Sequence, residues 1–475
     1  MSDVPEDWEL ICGLEVHCEL ATKTKLFCGC RNHFGDDPNT NVCPVCLGLP
    51  GSLPVLNGQA VEFAMKLGRA LHCTINGAEF ARKNYFYPDM PKDYQVTQFD
   101  RPTNTTGYLD LAAGKRVGIV RAHIEEDTGK TSHAGGDGRI HGAEYSLVDY
   151  NRSGVPLVEI VSEPDLRSAD EAKAYVDELR KIVLAIGVSD AKMEEGSMRV
   201  DANVSVRPRG STELRTRCEI KNINSLSSLE RAIRYEANRH IELYDAGDRP
   251  HQETRHWDED NQRTRTGRSK ENSEDYRYFP EPDLLPLEPS DADIARIDAS
   301  LPLLPAARRD RLAQVATVSA ERAALIVDRG QDELALDAIR AGADPARVLV
   351  HIEQNLKDGF GAMGVDDFVR LVAMETQGQL TATQTKQVLA ELVAHGGSPE
   401  AIAKAKGFEA MKSGDLEAII DKIIAENPQD WQRFVDADEK SANKIYQFFA
   451  GLVMKSTQGK ADGKTVREIF MRRRA

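Results

Sequence analysis

The chain has 475 residues, 41% of them hydrophobic and 29% charged, with a formal net charge of −15. That length exceeds what one growing hydrophobic core supports, so two or three domains are expected, and the acidic balance excludes a generally basic nucleic-acid coat while leaving room for a local basic patch. No N-terminal stretch has the basic start and apolar run of a secretory signal, and no run of eighteen apolar residues is present to span a bilayer, which points to the cytoplasm.

The first element is a strand, Gly13-Leu14-Glu15-Val16-His17-Cys18-Glu19-Leu20. Side chains alternate along a strand, so Glu15, His17 and Glu19 share one face and offer hard oxygen ligands and an imidazole to a cation. Four cysteines follow as Cys28-x-Cys30, twelve residues, then Cys43-x-x-Cys46. Two thiolate pairs joined by a short loop match tetrahedral structural zinc; reduced thiols or a redox pair are the alternative, and His33 is an alternative ligand for one cysteine. Six of the eight cysteines lie before residue 47, and a reducing compartment favours metal over disulfides for that cluster. Cys73 and Cys218 sit among apolar neighbours and read as core.

Residues 1–292 continue as short strands broken by Gly, Pro and Asn, with Pro88-Asp89 and Pro91 marking a turn. Alternation from Arg121 puts His123, Glu125 and Asp127 on one face and Glu126 on the other. Glu159 lies in Pro156-Leu157-Val158-Glu159-Ile160-Val161, a run expected to be buried on both faces, where a carboxylate needs a paired charge or a divalent cation. Ser168-x-x-Glu171 and Ser227-x-x-Glu230 read as capping boxes of two helices, the second ending near Gly247, that cover one face of an antiparallel sheet. Arg199 to Arg207 is a strand with Arg199, Asp201, Asn203, Ser205 and Arg207 on its polar face.

The proline-rich run Pro280 to Pro289 reads as a linker. Beyond it the texture is helical, giving an all-α domain over 293–406 that includes a helix from Thr381 to His395 stopped by Gly396-Gly397. A small helical tail domain follows over 407–475. From Lys440 onward it carries nine basic residues against Asp462 and Glu468, a net of +7, which is either a solvated face or a nucleic-acid patch.

Several motifs together resemble the B subunit of bacterial glutamyl/aspartyl-tRNA amidotransferases. They are Gly13-Leu14-Glu15-Val16-His17, Arg82-Lys83-Asn84-Tyr85-Phe86-Tyr87-Pro88-Asp89, His123-Ile124-Glu125-Glu126-Asp127, Glu159-Ile160-Val161-Ser162-Glu163-Pro164-Asp165, Met193-Glu194-Glu195-Gly196-Ser197, Lys221-Asn222-Ile223-Asn224-Ser225 and Asp275-Tyr276-Arg277-Tyr278-Phe279-Pro280-Glu281-Pro282-Asp283. The resemblance covers nearly the whole chain and is least distinctive over 293–440. It implies an α+β protein whose N-terminal antiparallel-sheet cradle is similar to that of glutamine synthetase. It further implies ATP and Mg²⁺ at Glu15, His17, Glu126 and Glu159, Arg199 and Lys221 as candidate phosphate-binding cations, and an ammonia route past Lys83, Tyr85, Tyr87 and Lys92. Lys455, Lys460, Lys464 and Arg467 become candidate tRNA contacts.

The implied reaction converts misacylated Glu-tRNA(Gln) or Asp-tRNA(Asn) to the amide by phosphorylating the side-chain carboxylate and transferring ammonia. The chain has neither a P-loop nor a Gly-x-Ser-x-Gly elbow or Ser-Lys amidase signature, so the ammonia must come from a partner, implied to be the amidase A subunit of a heterotrimer completed by a small C subunit. The competing expectations are a glutamine-synthetase-like ligase acting on a small molecule and a non-catalytic tRNA-binding scaffold. The basic helical end argues against the first, and carboxylates on apolar strands argue against the second. The archaeal E-subunit type would need an extra synthetase-like domain, for which there is no room between Asp283 and the helical region.

Overall fold

The computed structural model describes residues 3–135, 143–269, 276–408, 413–437, 439–457, 461 and 463–474. The chain divides into two compact units, Met1–Ala306 and Ala307–Ala475. The first is built on one large sheet. In chain order its elements are β1 (Trp8–Glu19), α1 (Gly58–Ala70), β2 (Thr74–Ile75), β3 (Ala81–Asn84), β4 (Tyr94–Thr97), β5 (Asn104–Asp110), β6 (Arg116–Glu126), β7 (Lys130–Ala134), β8 (Tyr145–Asp149), β9 (Pro156–Ser162), α2 (Ala169–Ala185), β10 (Met198–Pro208), β11 (Cys218–Ile223), α3 (Leu226–Asp245), β12 (Glu253–Asp258), β13 (Arg263–Ser269), β14 (Phe279–Pro280) and α4 (Asp291–Ser300).

The sheet runs β13-β12-β11-β10-β1-β9-β6-β4-β3-β14, with β5 beside β6 and β2 beside β5, while β7 and β8 form a separate hairpin. Every described pairing is antiparallel except β11 with β12. An all-antiparallel reading misses that pair because α3 lies between the two strands in sequence, and a helical crossover returns the chain in the same direction.

Strand alternation sorts the two faces. Leu14, Val16 and Cys18 of β1, Ala122 and Ile124 of β6, Val158 and Ile160 of β9, and Val200, Ala202, Val204 and Val206 of β10 are buried in one core with Tyr175, Leu179 and Val183 of α2 and Leu229, Ile233 and Ala237 of α3. Full burial of one such aliphatic or aromatic side chain contributes about 1.5–3 kcal/mol, so reversing the register would be costly. The opposite face carries the polar positions. There Glu159 is only partly buried, so its run is covered on one face rather than on both.

Two local expectations are corrected. Helix α3 is capped by Ser225, whose side chain accepts the Ser228 amide, and not by Ser227; Glu230 pairs instead with Lys173 and Arg234. The expected linker at Pro280–Pro289 lies back on the sheet: Glu281 donates its amide to the Phe80 carbonyl, Leu287 and Ala78 exchange backbone bonds, and the buried Glu281 carboxylate holds Arg82 at 2.7 Å. Proline is tolerated here because the segment is an edge.

The second unit is helical. Helices α5 (Pro305–Ala316), α6 (Ala320–Asp328), α7 (Asp332–Arg340), α8 (Pro345–Asn355), α9 (Val365–Thr376), α10 (Ala382–His395) and α11 (Pro399–Ala405) surround a core that includes Leu336, Leu349, Phe368 and Leu389. Helix α10 has a complete Thr381–Gln384 capping box and stops at Gly396, at φ 69°, as the Gly-Gly pair predicts. Helices α12 (Ser413–Glu426), α13 (Pro428–Asp436), α14 (Glu439–Ser456) and α15 (Gly463–Arg474) enclose a separate aromatic core of Phe434, Phe449 and Phe470. No described helix is long and apolar enough to cross a membrane.

Candidate functional site

Four adjacent strands align their outward residues in one rank. His123 of β6 faces Glu159 of β9, Glu159 faces His17 of β1, and His17 faces Arg199 of β10. His17 Nε2 lies 3.3 Å from Glu159 and 3.6 Å from Glu125, while His123 Nε2 lies 3.8 and 3.9 Å from Glu125 and Glu159. One ligand atom from each of His17, Glu125 and Glu159 falls within 4.8 Å of the others. Two carboxylates and one imidazole at that spacing could hold a hard divalent cation.

Charge is concentrated there. Burial pushes His17 down, but the hydrogen bond to Glu159 and the charges of Glu159, Glu125 and Asp201 outweigh it and lift the imidazole to about 9. Burial would raise the Glu159 carboxyl, yet His123, His17 and Lys83 hold it well below the usual range. Burial first, and then the like charge of Asp127, push Glu19 up to about 8, and Arg199 only partly offsets them.

The cleft above this rank has a volume of about 370 Å³, within the range of small-molecule sites. Its lining includes His17, Lys83, Glu125, Glu159, Arg199 and Lys221. Arg199 bonds Asp127 at 2.7 Å, and Lys221 bonds Asp201 at 2.7 Å with Glu219 at 3.5 Å. Both cations are fixed by carboxylates yet still line the cleft.

The expected site residues do not all converge. Glu15 sits one rank away, opposite Val161 and Asp201, and accepts a bond from Asn203 at 2.9 Å. Glu126 lies on the other face of β6. Its Oε1 pairs with Lys92 and accepts the Val96 amide at 2.8 Å, so Glu125, not Glu126, stands beside His17 and Glu159. The structure thus sets His123 and Glu125 beside His17 and Glu159, on the face where the two-residue alternation places them with Asp127, while Glu126, the residue that the family resemblance implies, turns to the other face. Lys83 reaches the cleft, Tyr85 lies within electrostatic reach of Glu125, Glu126 and Asp127, and Tyr87 lines a second, shallow cleft of about 320 Å³ with Phe86 and Tyr150.

The four cysteines meet despite twelve intervening residues. Cys46 Sγ lies 3.5 Å from Cys28, 3.7 Å from Cys30 and 3.7 Å from Cys43. A tetrahedral centre with Zn–S bonds of about 2.3 Å has edges of about 3.8 Å, so the cluster could hold a metal, and these separations are far beyond a disulfide bond. Hydrogen bonding from Cys28 and the nearby Lys25 charge hold the Cys46 thiol down to about 4 against burial. The fully buried Lys25 ammonium is 3.5 Å from that sulfur. His33 stands apart, paired with Asp36 at 3.0 Å. The end of this knuckle packs on Lys92: a Cβ at Gly48, at φ +62°, would lie 2.5 Å from Lys92 Cγ.

In the tail, Lys455 is exposed at the end of α14 and Arg467 lies over the Tyr446 ring at 5.6 Å. Lys464 belongs to α15, and Lys460 lies outside the described residues. Arg472 and Arg473 pair with Glu417 and Asp421, so part of the basic surplus is neutralised internally.

Residues 10–295 match the GatB/GatE catalytic domain family and residues 350–473 match the GatB domain family. Proteins named as the B subunit of an aspartyl/glutamyl-tRNA(Asn/Gln) amidotransferase are similar over the full length. The one from Frankia casuarinae is 46% identical across 99% of this chain and 97% of its own. Those of Thermobifida fusca and Synechococcus sp. strain JA-3-3Ab are 45% and 44% identical, covering 99% and 98% of this chain and 95% and 97% of theirs.

Proposed function

The chain belongs to the family of aspartyl/glutamyl-tRNA(Asn/Gln) amidotransferase B subunits, and on that premise we propose that it converts Glu-tRNA(Gln) and Asp-tRNA(Asn) to their amides in an ATP-dependent reaction. The observation that carries this reading is the rank of His17, Glu125 and Glu159 lining one cleft together with Arg199 and Lys221.

His17, Glu125 and Glu159 are the residues that would hold Mg²⁺, and this choice replaces Glu126 in the set expected from sequence; Glu15 contributes from the next rank. When bound, that cation supplies charge neutralisation for ATP phosphates. Arg199 and Lys221 orient the γ-phosphoryl group and balance its charge, because in phosphoryl transfer the protein's work is positioning and electrostatics. The substrate carboxylate oxygen attacks the γ-phosphorus, the bond to ADP breaks, and an acyl phosphate forms on the substrate. Ammonia then attacks the acyl carbon, the carbon–oxygen bond to phosphate breaks, and a nearby carboxylate takes the surplus proton. Lys83, Tyr85, Tyr87 and Lys92, with Glu126, form the polar entry for ammonia from a partner amidase subunit; a small third subunit completes the heterotrimer.

A sheet with one apolar and one polar face supports the likeness to the glutamine synthetase cradle. Three cores support a division into a catalytic domain over 1–292, a helical domain over 293–406 and a tRNA-binding tail over 407–475. The cysteine knuckle is a structural zinc site, and the cytoplasm is where such a reaction meets its tRNA.

The test is amidation of misacylated tRNA by the assembled enzyme with Glu159→Gln, supplied with glutamine or with free ammonium. Loss by orders of magnitude with both nitrogen sources, with tRNA binding retained, is expected. Near wild-type amidation with ammonium by a folded variant would overturn the assignment.

A further inference from the structure

An aromatic and basic strip lies beside the cleft, outside the residues placed in the phosphoryl and amide chemistry except for Lys83. Phe99 stacks on Tyr278 with ring centroids 4.0 Å apart and planes 5° apart, yet stays 40% exposed. Tyr276 meets Tyr278 edge-on at 6.1 Å, and Lys83 Nζ sits 4.7 Å from the Tyr276 ring centre. Arg277 lies 5.6 Å from the ring of Phe86, which is 69% exposed.

The backbone is shaped to present these rings. Arg277 adopts φ +48°, a left-handed conformation that a side-chain-bearing residue takes only when held there. Asn84 holds it, donating its side-chain amide to the carbonyls of Tyr276 at 3.2 Å and Arg277 at 2.8 Å. Asn84 ends β3, the strand that also places Lys83 in the cleft. Strip and cleft are thus fixed by one strand.

We propose that this strip is a stacking platform for the unpaired nucleotides at the 3′ end of the aminoacyl-tRNA, an inference that rests on the amidotransferase reading above. The side-chain carboxylate must reach His17, Glu125 and Glu159 while its ester remains on the terminal ribose, so the terminal bases lie at the rim beyond Lys83. Aromatic faces bind bases without regard to sequence, and cations between them follow the phosphodiester. Lys83 and Arg277 supply that charge in a chain whose net charge is −15. The adenine of ATP is the nearest alternative. It needs one stacking surface, whereas the strip offers two, one at Phe86 with Arg277 and one at Phe99 with Tyr278.

The experiment uses the assembled enzyme and a tRNA whose terminal adenine is replaced by 2-aminopurine, whose fluorescence falls on stacking. Wild type should quench it without ATP present. Phe99→Ala and Phe86→Ala should each raise the KM for Glu-tRNA about ten-fold at unchanged kcat, the effect of losing one base–aromatic stack, and the variant that removes the terminal base's own surface should also relieve quenching. Phe99→Tyr should behave as wild type, and the KM for ATP should not move. Unchanged quenching and KM in both alanine variants overturns the platform. A raised KM for ATP with an unchanged tRNA KM would assign the strip to the nucleotide instead, and loss of copurifying subunits at unchanged tRNA affinity would make it a subunit contact. Failure of wild type to bind aminoacyl-tRNA would sink the amidotransferase reading itself.

Discussion

Replacing Glu125 and Glu126 by glutamine, one at a time, separates the carboxylate proposed to hold the cation from the one that pairs with Lys92. Glu126 is 3% exposed and its partner Lys92 9%. Glutamine at 126 leaves the Lys92 ammonium buried without its counter-charge, and breaking such a pair from one side costs about 3–5 kcal/mol. At about 2–4 °C per kcal/mol for a unit of this size, melting should fall by roughly 10 °C. Adding Lys92→Met should restore much of that loss, because neither partner is then left unpaired. Glu125→Gln has a different signature. Glu159 remains to pair with His17 and His123, so melting should move by no more than about 3 °C. Ammonium-dependent amidation should nevertheless be severely impaired and need more magnesium, because Glu125 is one of the carboxylates proposed to hold the cation. Thermal unfolding followed by circular dichroism, with amidation assayed well below the melting range, decides it. A Glu126→Gln chain that melts like wild type beside a Glu125→Gln chain that loses about 10 °C would show the two roles to be reversed.

Cys43→Ser should release metal and loosen the knuckle, with binding of ATP at the His17 rank retained; metal analysis showing well under one zinc per wild-type chain would end the zinc proposal. Deleting residues from Gly407 onward should weaken tRNA binding and flatten its salt dependence by about 0.9 log unit per lost phosphate contact, while glutaminase activity in the partner survives; equal affinities at two salt concentrations would leave the tail as a solvated surface. Glu236 is fully buried and accepts bonds from Thr264 at 2.7 Å and His240 at 3.1 Å, with Arg239 and Arg255 beside it. Burial opposes ionisation, but the bonds from His240 and Arg239 prevail and hold it at about 2, below its ordinary 4.5. Its stabilisation is therefore complete above about pH 4.5 and fades as pH falls toward 2, a loss of about 3 kcal/mol that Glu236→Gln should make independent of pH. Acid titration of stability for both proteins measures it.

What the sequence determined is what local periodicity and side-chain chemistry fix by themselves. A period of two along β1 and β10 defines their polar face before any partner strand is known, and Thr381 with Gly396 sets the ends of α10 because caps act within a single turn. The same period puts Glu125 with His123 and Asp127, whereas the family motif, which implies Glu126, does not say which of two adjacent carboxylates turns inward. Only the tertiary structure decides matters of register between distant segments. His17, Glu159 and His123 become neighbours because β1, β9 and β6 pair in one particular alignment, and no local signal at residue 17 encodes residue 123. The proline-rich segment after Phe279 reads as a linker for the same reason: its anchor, Arg82, lies some two hundred residues earlier, and an edge is where a chain with few amide donors can still be held.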